Sequence, residues 1–373
     1  MRILMTSTSY PRDAADWRGI FIRDLVAALA RADDIELRLW APPGELPPGV
    51  ESIVLPNESA WLGRMGDAGG ISHMMRNWRP ATLLAPLTLA RMLGAAYRRA
   101  STADIYHINW LQCALPLPDN RVPALISVLG NDLKLLRLPL MRGLLRRVMR
   151  HRKIAICPNA DWMRAPLEAA FGDLAPVITA HFGIDPHWFA VERATTSYKP
   201  LWLAVTRLTA DKLGALFEWS EPLFRNGTRE LHLFGPMQED IQLPAWVHYH
   251  GPATPEQLAR QWFPRAHGLI TLSRHAEGRP QVMLEAMAAG LPIVASQTPA
   301  HATIVCADET GVLCDAPQTY ADALRALEDP LVNQRFSAAA RQRAKLQIGT
   351  WDECASRYGN IYRQLLESEK SDG

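Results

Sequence analysis

The sequence predicts an α/β protein built from two doubly wound parallel sheets, and three observations carry that prediction. Short β-rich runs alternate with helical patterns along the chain, as parallel strands joined by crossover helices require. The alternation breaks at residues 183–200, where glycine, proline and polar residues replace the periodic pattern, and then restarts. The length of 373 residues suits two domains better than one. In order, Arg2–Met5 is strand-like, and Ile22, Leu25, Val26 and Leu29 then share one face of a helix. Ile35–Trp40, Asp104–Asn109, Ala124–Val128, Ile154–Cys157 and Val177–Ala180 continue the strand series. After the break come Leu201–Thr206, Leu231–Phe234, Val247–Tyr249, Gly268–Leu272 and Ile293–Ala295, again with helical patterns between them. Residues 320–370 read as helical, with Trp351 opening the last segment, and Gly66–Gly70 reads as a flexible loop. Two such halves put a ligand crevice outside the carboxyl ends of both sheets, facing each other across a cleft.

Composition excludes several classes. Hydrophobic residues make 48% of the chain and charged ones 21%, which argues against a disordered, collagenous or coiled-coil protein. No apolar run approaches the ~18 residues of a membrane span. Ile3-Leu4-Met5 is too short for a signal-peptide core. The five cysteines are an odd number without a C-x-x-C pair, which fits reduced thiols in the cytoplasm and opposes a disulfide scaffold or zinc site. The net charge of +2 conceals an imbalance, because residues 1–190 hold 22 Lys/Arg against 17 Asp/Glu. Arg76, Arg79, Arg91, Arg98 and Arg99 fall in an acid-free stretch, 68–103, and Lys134–Lys153 is a second one. Nucleic acid, anionic lipid and phosphorylated substrates all attract such patches.

Residues 273–292 hold the densest chemistry. They follow a predicted strand and open a helix, with Pro280 suited to its first position. A helix start offers unpaired N–H groups and partial positive charge, a seat for a diphosphate. Glu277 stands just before it, and Gly278 permits close backbone approach. From Pro280, Glu285 lies about 7.5 Å farther along the axis at 1.5 Å per residue. Two carboxylates so spaced can accept hydroxyl hydrogen bonds at opposite ends of one nucleotide-sugar. Alone, such a pair reads better as two solvated glutamates. Upstream, however, Arg207 closes a strand and Lys212 opens the next helix, placing two cations for phosphate at the same sheet edge. Together the four read as a ligand site.

This set resembles the donor-binding domain of the retaining glycosyltransferases of family 4, which have the GT-B fold. Across residues 201–296 the R-x4-K pair, the Val247–Gly251 turn and the E-x7-E segment with its Ala-Met-Ala-x-Gly-x-Pro run carry it most specifically. Tyr10-Pro11, Trp17–Ile22, Phe182–Asp185 and the helix from Trp351 to Leu366 are similar to the family's first loop and helix, linker and closing helix. The resemblance implies two facing Rossmann-like domains, 1–185 for the acceptor and 186–350 for the nucleotide-sugar donor, with 351–373 a helix returning to the first. It implies that Arg207 and Lys212 hold the donor diphosphate and stabilise the leaving phosphate, while Glu277 binds sugar hydroxyls and Glu285 the ribose. Gly278, Arg279, Pro280, Gln281 and Val282 would meet the β-phosphate and sugar, and Gly19 would face the donor from the other domain. Retention would come from same-face attack assisted by the leaving phosphate, with no cofactor and, lacking D-x-D, no metal. Three departures stand out: Leu129 replaces the histidine usual after the 124–128 strand, Arg279 replaces a common Phe, and 298–305 lacks a Gly pair and Glu. His107 could compensate for the first, although a partly buried structural histidine is the better reading.

The acceptor side is expected in residues 1–190. Residues 138–150 mix large apolar residues with Arg142, Arg146, Arg147 and Arg150 on a helix that could lie on an anionic membrane. Leu83–Ala90, near Trp78 and Arg79, could add an apolar contact. A core helix with a basic outer face is the plainer alternative. Nucleic acid is not expected, since no recognised module accompanies the charge. The resemblance therefore implies a cytoplasmic hexosyltransferase, peripheral on the inner face of the plasma membrane, acting on a glycan or lipid-linked acceptor in bacterial polysaccharide or lipopolysaccharide synthesis. Rival readings are a GT-B phosphorylase or epimerase, and a catalytically inactive scaffold that positions a partner enzyme.

Overall fold

The computed structural model describes residues 1–13, 16–71, 74, 84–194 and 199–367. Two compact units divide the chain: Met1–Phe182 together with the segment from Trp351 onward, and Gly183–Thr350. Among the described residues no helix is long and apolar enough to cross a membrane.

The first unit holds β1 (Arg2–Thr6), β2 (Glu36–Trp40), β3 (Glu51–Ser52), β4 (Ile105–Asn109), β5 (Ala124–Val128) and β6 (Ile154–Pro158). They pair in parallel in the order β3-β2-β1-β4-β5-β6. The second unit repeats the plan with β7 (Leu201–Val205), β8 (Glu230–Phe234), β9 (Val247–Tyr249), β10 (Gly268–Thr271), β11 (Ile293–Ser296) and β12 (Gly311–Cys314). Their order is β12-β11-β10-β7-β8-β9. Each sheet reverses its strand order at one point, between β1 and β4 and between β7 and β10, and ligands bind outside the carboxyl ends at such points.

The apolar pattern explains the layers. β4, β5 and β6 are buried along their whole length, as strands covered on both faces must be. Leu4, Tyr106, Ile108, Ile126 and Ile156 serve one core of the first unit. Ile3, Met5, Ile105, Leu125 and Ala155 point the other way, toward the helices Ile20–Ala30 and Trp351–Glu367. The closing helix is also pinned by a buried polar chain. Tyr362 Oη lies 2.5 Å from His107 Nδ1, His107 Nε2 lies 2.8 Å from Ser127 Oγ, and Ser127 Oγ lies 3.0 Å from Tyr358 Oη.

Several expectations change. Val177–Ala180 is no full strand: Ile178 and Ala180 donate to Ile156 and Pro158, but the pairing reduces to one bridge at Val177. Pro176, which lacks an N–H, precedes it. The edge strands β3 and β12 were not read from the sequence, the first being two exposed residues. Gly66 and Asp67 end the helix Pro56–Asp67, so the loop proper starts at Ala68. Arg76, Trp78, Arg79 and Leu83 lie outside the described residues.

Candidate functional site

At the switch point of the second sheet, the loops after β7 and β10 are tied together by glycines and backbone bonds. Gly235 adopts φ +137°, and a Cβ there would lie 1.7 Å from the Thr206 carbonyl, so only glycine lets the loops after β7 and β8 pass. Gly214, at φ +55°, presses on the Leu272 carbonyl in the same way. Thr209 caps the one-turn helix Ala210–Leu213, and Arg274 N–H donates to Asp211 O at 2.8 Å.

These ties bring Lys212 Nζ to 2.6 Å from Glu277 Oε1, with 12% and 13% of the two side chains exposed. The Ser273 hydroxyl donates to the same Glu277 oxygen at 3.3 Å. Behind it, Ser296 Oγ donates to Ser273 O at 2.6 Å, and His301 Nδ1 lies 2.8 Å from Ser296 O, the distance of an N–H donated to that carbonyl. Burial pulls the Lys212 ammonium below its ordinary pKa, opposed by Glu277. Burial lowers Arg207 as well, with Glu277 again opposing. It also lowers His301, where the Ser296 carbonyl and Glu277 oppose it and Lys212 adds to it. Two partly dehydrated cations thus share this corner with the Glu277 carboxylate, an arrangement that attracts a further anion.

The helix behind this pair begins one residue later than expected. Pro280 is its extended N-cap residue, at φ −61° and ψ 115°, and Gln281–Ala288 is the helix. The amides of Gln281 and Val282 therefore have no acceptor within it. Gln281 Nε2 donates to Gly183 O at 2.7 Å, which fixes the turn to the start of the unit. Gly278, Arg279 and Glu285 are half-buried there. Lys212 sits in the last turn of its one-turn helix, and the longer helix begins only at Leu216. Arg207 Nη1 reaches Gln238 Oε1 at 3.5 Å.

In the first unit, Gly19 adopts φ +69° before its helix, and a Cβ would meet Ser9 and Tyr10 at 2.8–2.9 Å. Leu129 N–H donates to Asp132 Oδ2 at 2.7 Å, and burial pushes Asp132 up to about 7. His107 lies inside β4, wholly buried rather than partly so, and burial pushes it down to about 3. Arg142 and Arg146 tie their helix to the next one: they donate to Ala169 O and Ala170 O, and Arg146 also grips Asp173 with both terminal nitrogens. Arg147 and Arg150 are exposed, beside exposed Leu138, Leu140 and Leu144. Sequence reasoning missed Ser273, Ser296, His301 and Asp132. The Thr298-Pro299 start signal could have located the turn that carries His301. It also missed Trp110, at φ 72° directly after β4 at the first sheet's switch point.

Residues 199–329 match the family described as Glycosyl transferases group 1. A D-inositol 3-phosphate glycosyltransferase from Streptomyces avermitilis is 31% identical over 127 residues, 33% of this chain and 26% of that protein. Its counterpart from Xylanimonas cellulosilytica is 36% identical over 121 residues, 32% of this chain and 28% of that protein. The matched segment thus spans about a quarter of these relatives' length. Among solved structures, sucrose-phosphate synthase from Thermosynechococcus elongatus superposes with a TM-score of 0.73 at 17% identity, covering 99% of this chain and 100% of that one. Anabaena HepE in complex with UDP and glucose gives 0.67 at 14%, covering 97% and 99%. The chain has the GT-B type of architecture, two Rossmann-like α/β units, and its second unit carries the resemblance to family 4.

Proposed function

We propose that the chain is a retaining glycosyltransferase that moves a hexose from a nucleoside diphosphate donor to a glycan or lipid-linked acceptor. The single observation that carries this reading is the Lys212–Glu277 pair beside Arg207 at the carboxyl edge of the second sheet, inside the segment matched to group 1 glycosyltransferases. The donor diphosphate takes Arg207, Lys212 and the amides of Gln281 and Val282, and the cations stabilise the charge that builds on the departing phosphate. Glu277 orients Lys212 and accepts a hydroxyl of the transferred sugar on the oxygen not spent on it. Glu285 takes the ribose, and Arg279 lines the sugar side with Gly278 and Pro280. Ser273 and the neutral His301 hold Glu277 in place from behind.

The acceptor reading rests on the basic first half. Exposed Leu138, Leu140 and Leu144 with Arg147 and Arg150 support contact with an anionic membrane, and surface-polysaccharide assembly is the setting proposed. UDP in the HepE complex makes UDP the first diphosphate to try. The experiment is a thermal-shift screen against UDP, GDP, ADP, dTDP and CMP, with and without divalent metal. One diphosphate is expected to raise the melting temperature without metal and to lose that effect in Lys212→Ala. At about 100 times its Kd the stabilisation is about 2.7 kcal/mol. No shift with any nucleotide would favour the inactive-scaffold reading, and an inverted anomeric configuration in the product would refute retention.

A further inference from the structure

A cavity of about 800 Å³ opens at the amino edge of the first unit's sheet, where Arg121 precedes β5 and Arg152-Lys153 lead into β6. This edge is opposite to the carboxyl ends, where a doubly wound sheet ordinarily binds its ligand. Its polar wall is Arg121, Arg150, His151, Arg152 and Lys153, and among the described residues no carboxylate lines it. Apart from Gln364 the rest of the lining is apolar and includes Ile361 and Leu365 from the last turns of the closing helix.

The cations are not equally available. Arg152 is committed to the fold, donating from Nη1 to Val122 O at 2.6 Å and from Nη2 to Pro118 O at 2.5 Å. Lys153 is different: its Nζ is buried and finds no hydrogen-bond partner among the described residues. Arg121 and Arg150 are exposed at the mouth and, among the described residues, form no ion pair. A shielded ammonium without an acceptor is a costly arrangement that an anion relieves. Lys and Arg side chains lining one cavity suit the several oxygens and multiple charge of a phosphate better than a single carboxylate. The size of the cavity matches a small-molecule site, and its apolar wall has no use for a bare inorganic ion.

We propose that this cavity binds a phosphate ester with an apolar body, the phosphate on Lys153, Arg121 and Arg150 and the body against Ile361 and Leu365. Such chemistry has two sources, a soluble organic phosphate and the headgroup of an anionic lipid. The proposal is independent of the donor reading, since it lies in the other unit and uses none of the donor residues.

The test uses the full chain and three probes: inorganic pyrophosphate, decyl phosphate below its micellar concentration, and phosphatidylcholine vesicles with or without phosphatidylglycerol. Decyl phosphate is expected to bind about tenfold more tightly than pyrophosphate. Lys153→Met is expected to weaken it by about tenfold or more, as loss of a charged hydrogen bond does, with Lys153→Arg restoring it. The melting shift given by a nucleoside diphosphate is expected to stay unchanged in these variants, which separates this site from the donor site. Vesicle binding that needs phosphatidylglycerol and is lost in Lys153→Met assigns the lipid source, and decyl phosphate binding without vesicle binding assigns the soluble one. Should Lys153→Met fail to fold, Arg121→Ala serves in its place, with an expected loss of about threefold or more. Wild-type affinity in the variant that folds, or no binding of any probe, overturns the proposal.

Discussion

Lys212 sits in a corner that water barely reaches, 2.6 Å from the Glu277 carboxylate. Removing the ammonium in Lys212→Ala leaves that carboxylate shielded and, on the proposed donor reading, deletes a cation from the leaving phosphate. Single-turnover transfer is expected to fall about 10²–10³-fold. Glu277→Gln is expected to slow transfer too, yet to keep or raise affinity for the free diphosphate, because Lys212 then loses its counter-ion. Calorimetric titration of diphosphate into both variants separates the two roles, and equal losses of affinity would contradict the assignment. In the first unit, burial lifts Asp132 from an ordinary 3.8 to about 7, so the folded chain keeps a proton there that the unfolded chain releases. Stability from this group is full below about pH 4 and is lost as pH rises to about 7. His107 runs the other way: held at about 3 against an ordinary 6.5, it stabilises above 6.5 and ceases to do so as pH falls toward 3. Between pH 4 and 6.5 the two slopes oppose. Asp132→Asn removes one of them and is expected to steepen acid destabilisation by about 1.4 kcal/mol per pH unit in that window. Denaturant titrations at stepped pH would show it.

At the scale of elements, the site depends on turns more than on strands. Gly235→Ala would drive a methyl group into the Thr206 carbonyl, immediately before Arg207. It is expected to destabilise the chain by about 2 kcal/mol or more, through strain and a left-handed backbone position. A variant melting at the wild-type temperature would refute the close approach. For the segment Leu138–Met149, Leu140→Asp is a sharper membrane test than changing Arg142 or Arg146, which hold the end of the helix Arg164–Phe171. Cosedimentation with anionic vesicles is expected to drop severalfold while folding is retained. The parallel strands could be read from the sequence because burial on both faces writes mostly apolar runs such as Ala124–Val128, interrupted only by Ser127. Glu51–Ser52 could not, since two exposed residues on an edge leave no pattern. In the same way, Arg207, Lys212 and Glu277, which share one corner, could be picked out by their order and spacing along the chain. Ser273, Ser296 and His301 could not, because what joins them to Glu277 is a stack of side-chain contacts across β10 and β11. The direction of Arg146 was equally hidden, for a basic helix face does not reveal whether its charges meet water, lipid or a neighbouring helix end.

For the whole molecule, the segment beyond Thr350 matters out of proportion to its length. A chain ending at Thr350 would lose Tyr358 and Tyr362, leaving His107 and Ser127 without those partners, and would lose Trp351, which packs 5.6 Å from Phe182. Such a chain is expected to lose the cooperative melting of the first unit yet to retain the melting shift caused by nucleoside diphosphate. Loss of both together would show that the donor site is not carried by the second unit alone. The same topology has a temporal side. The second unit is one uninterrupted stretch of chain, whereas the first is split, its sheet translated early and its last helix late. At about 5–20 residues per second, the strands of the first unit wait on the order of ten seconds or more for the helix that covers Ile3, Met5 and Leu125. During that interval this apolar sheet face has only the helix Ile20–Ala30 against it and stands partly uncovered on the ribosome. The unit begun first is therefore the one finished last, and it is in this window that the nascent chain most needs a chaperone.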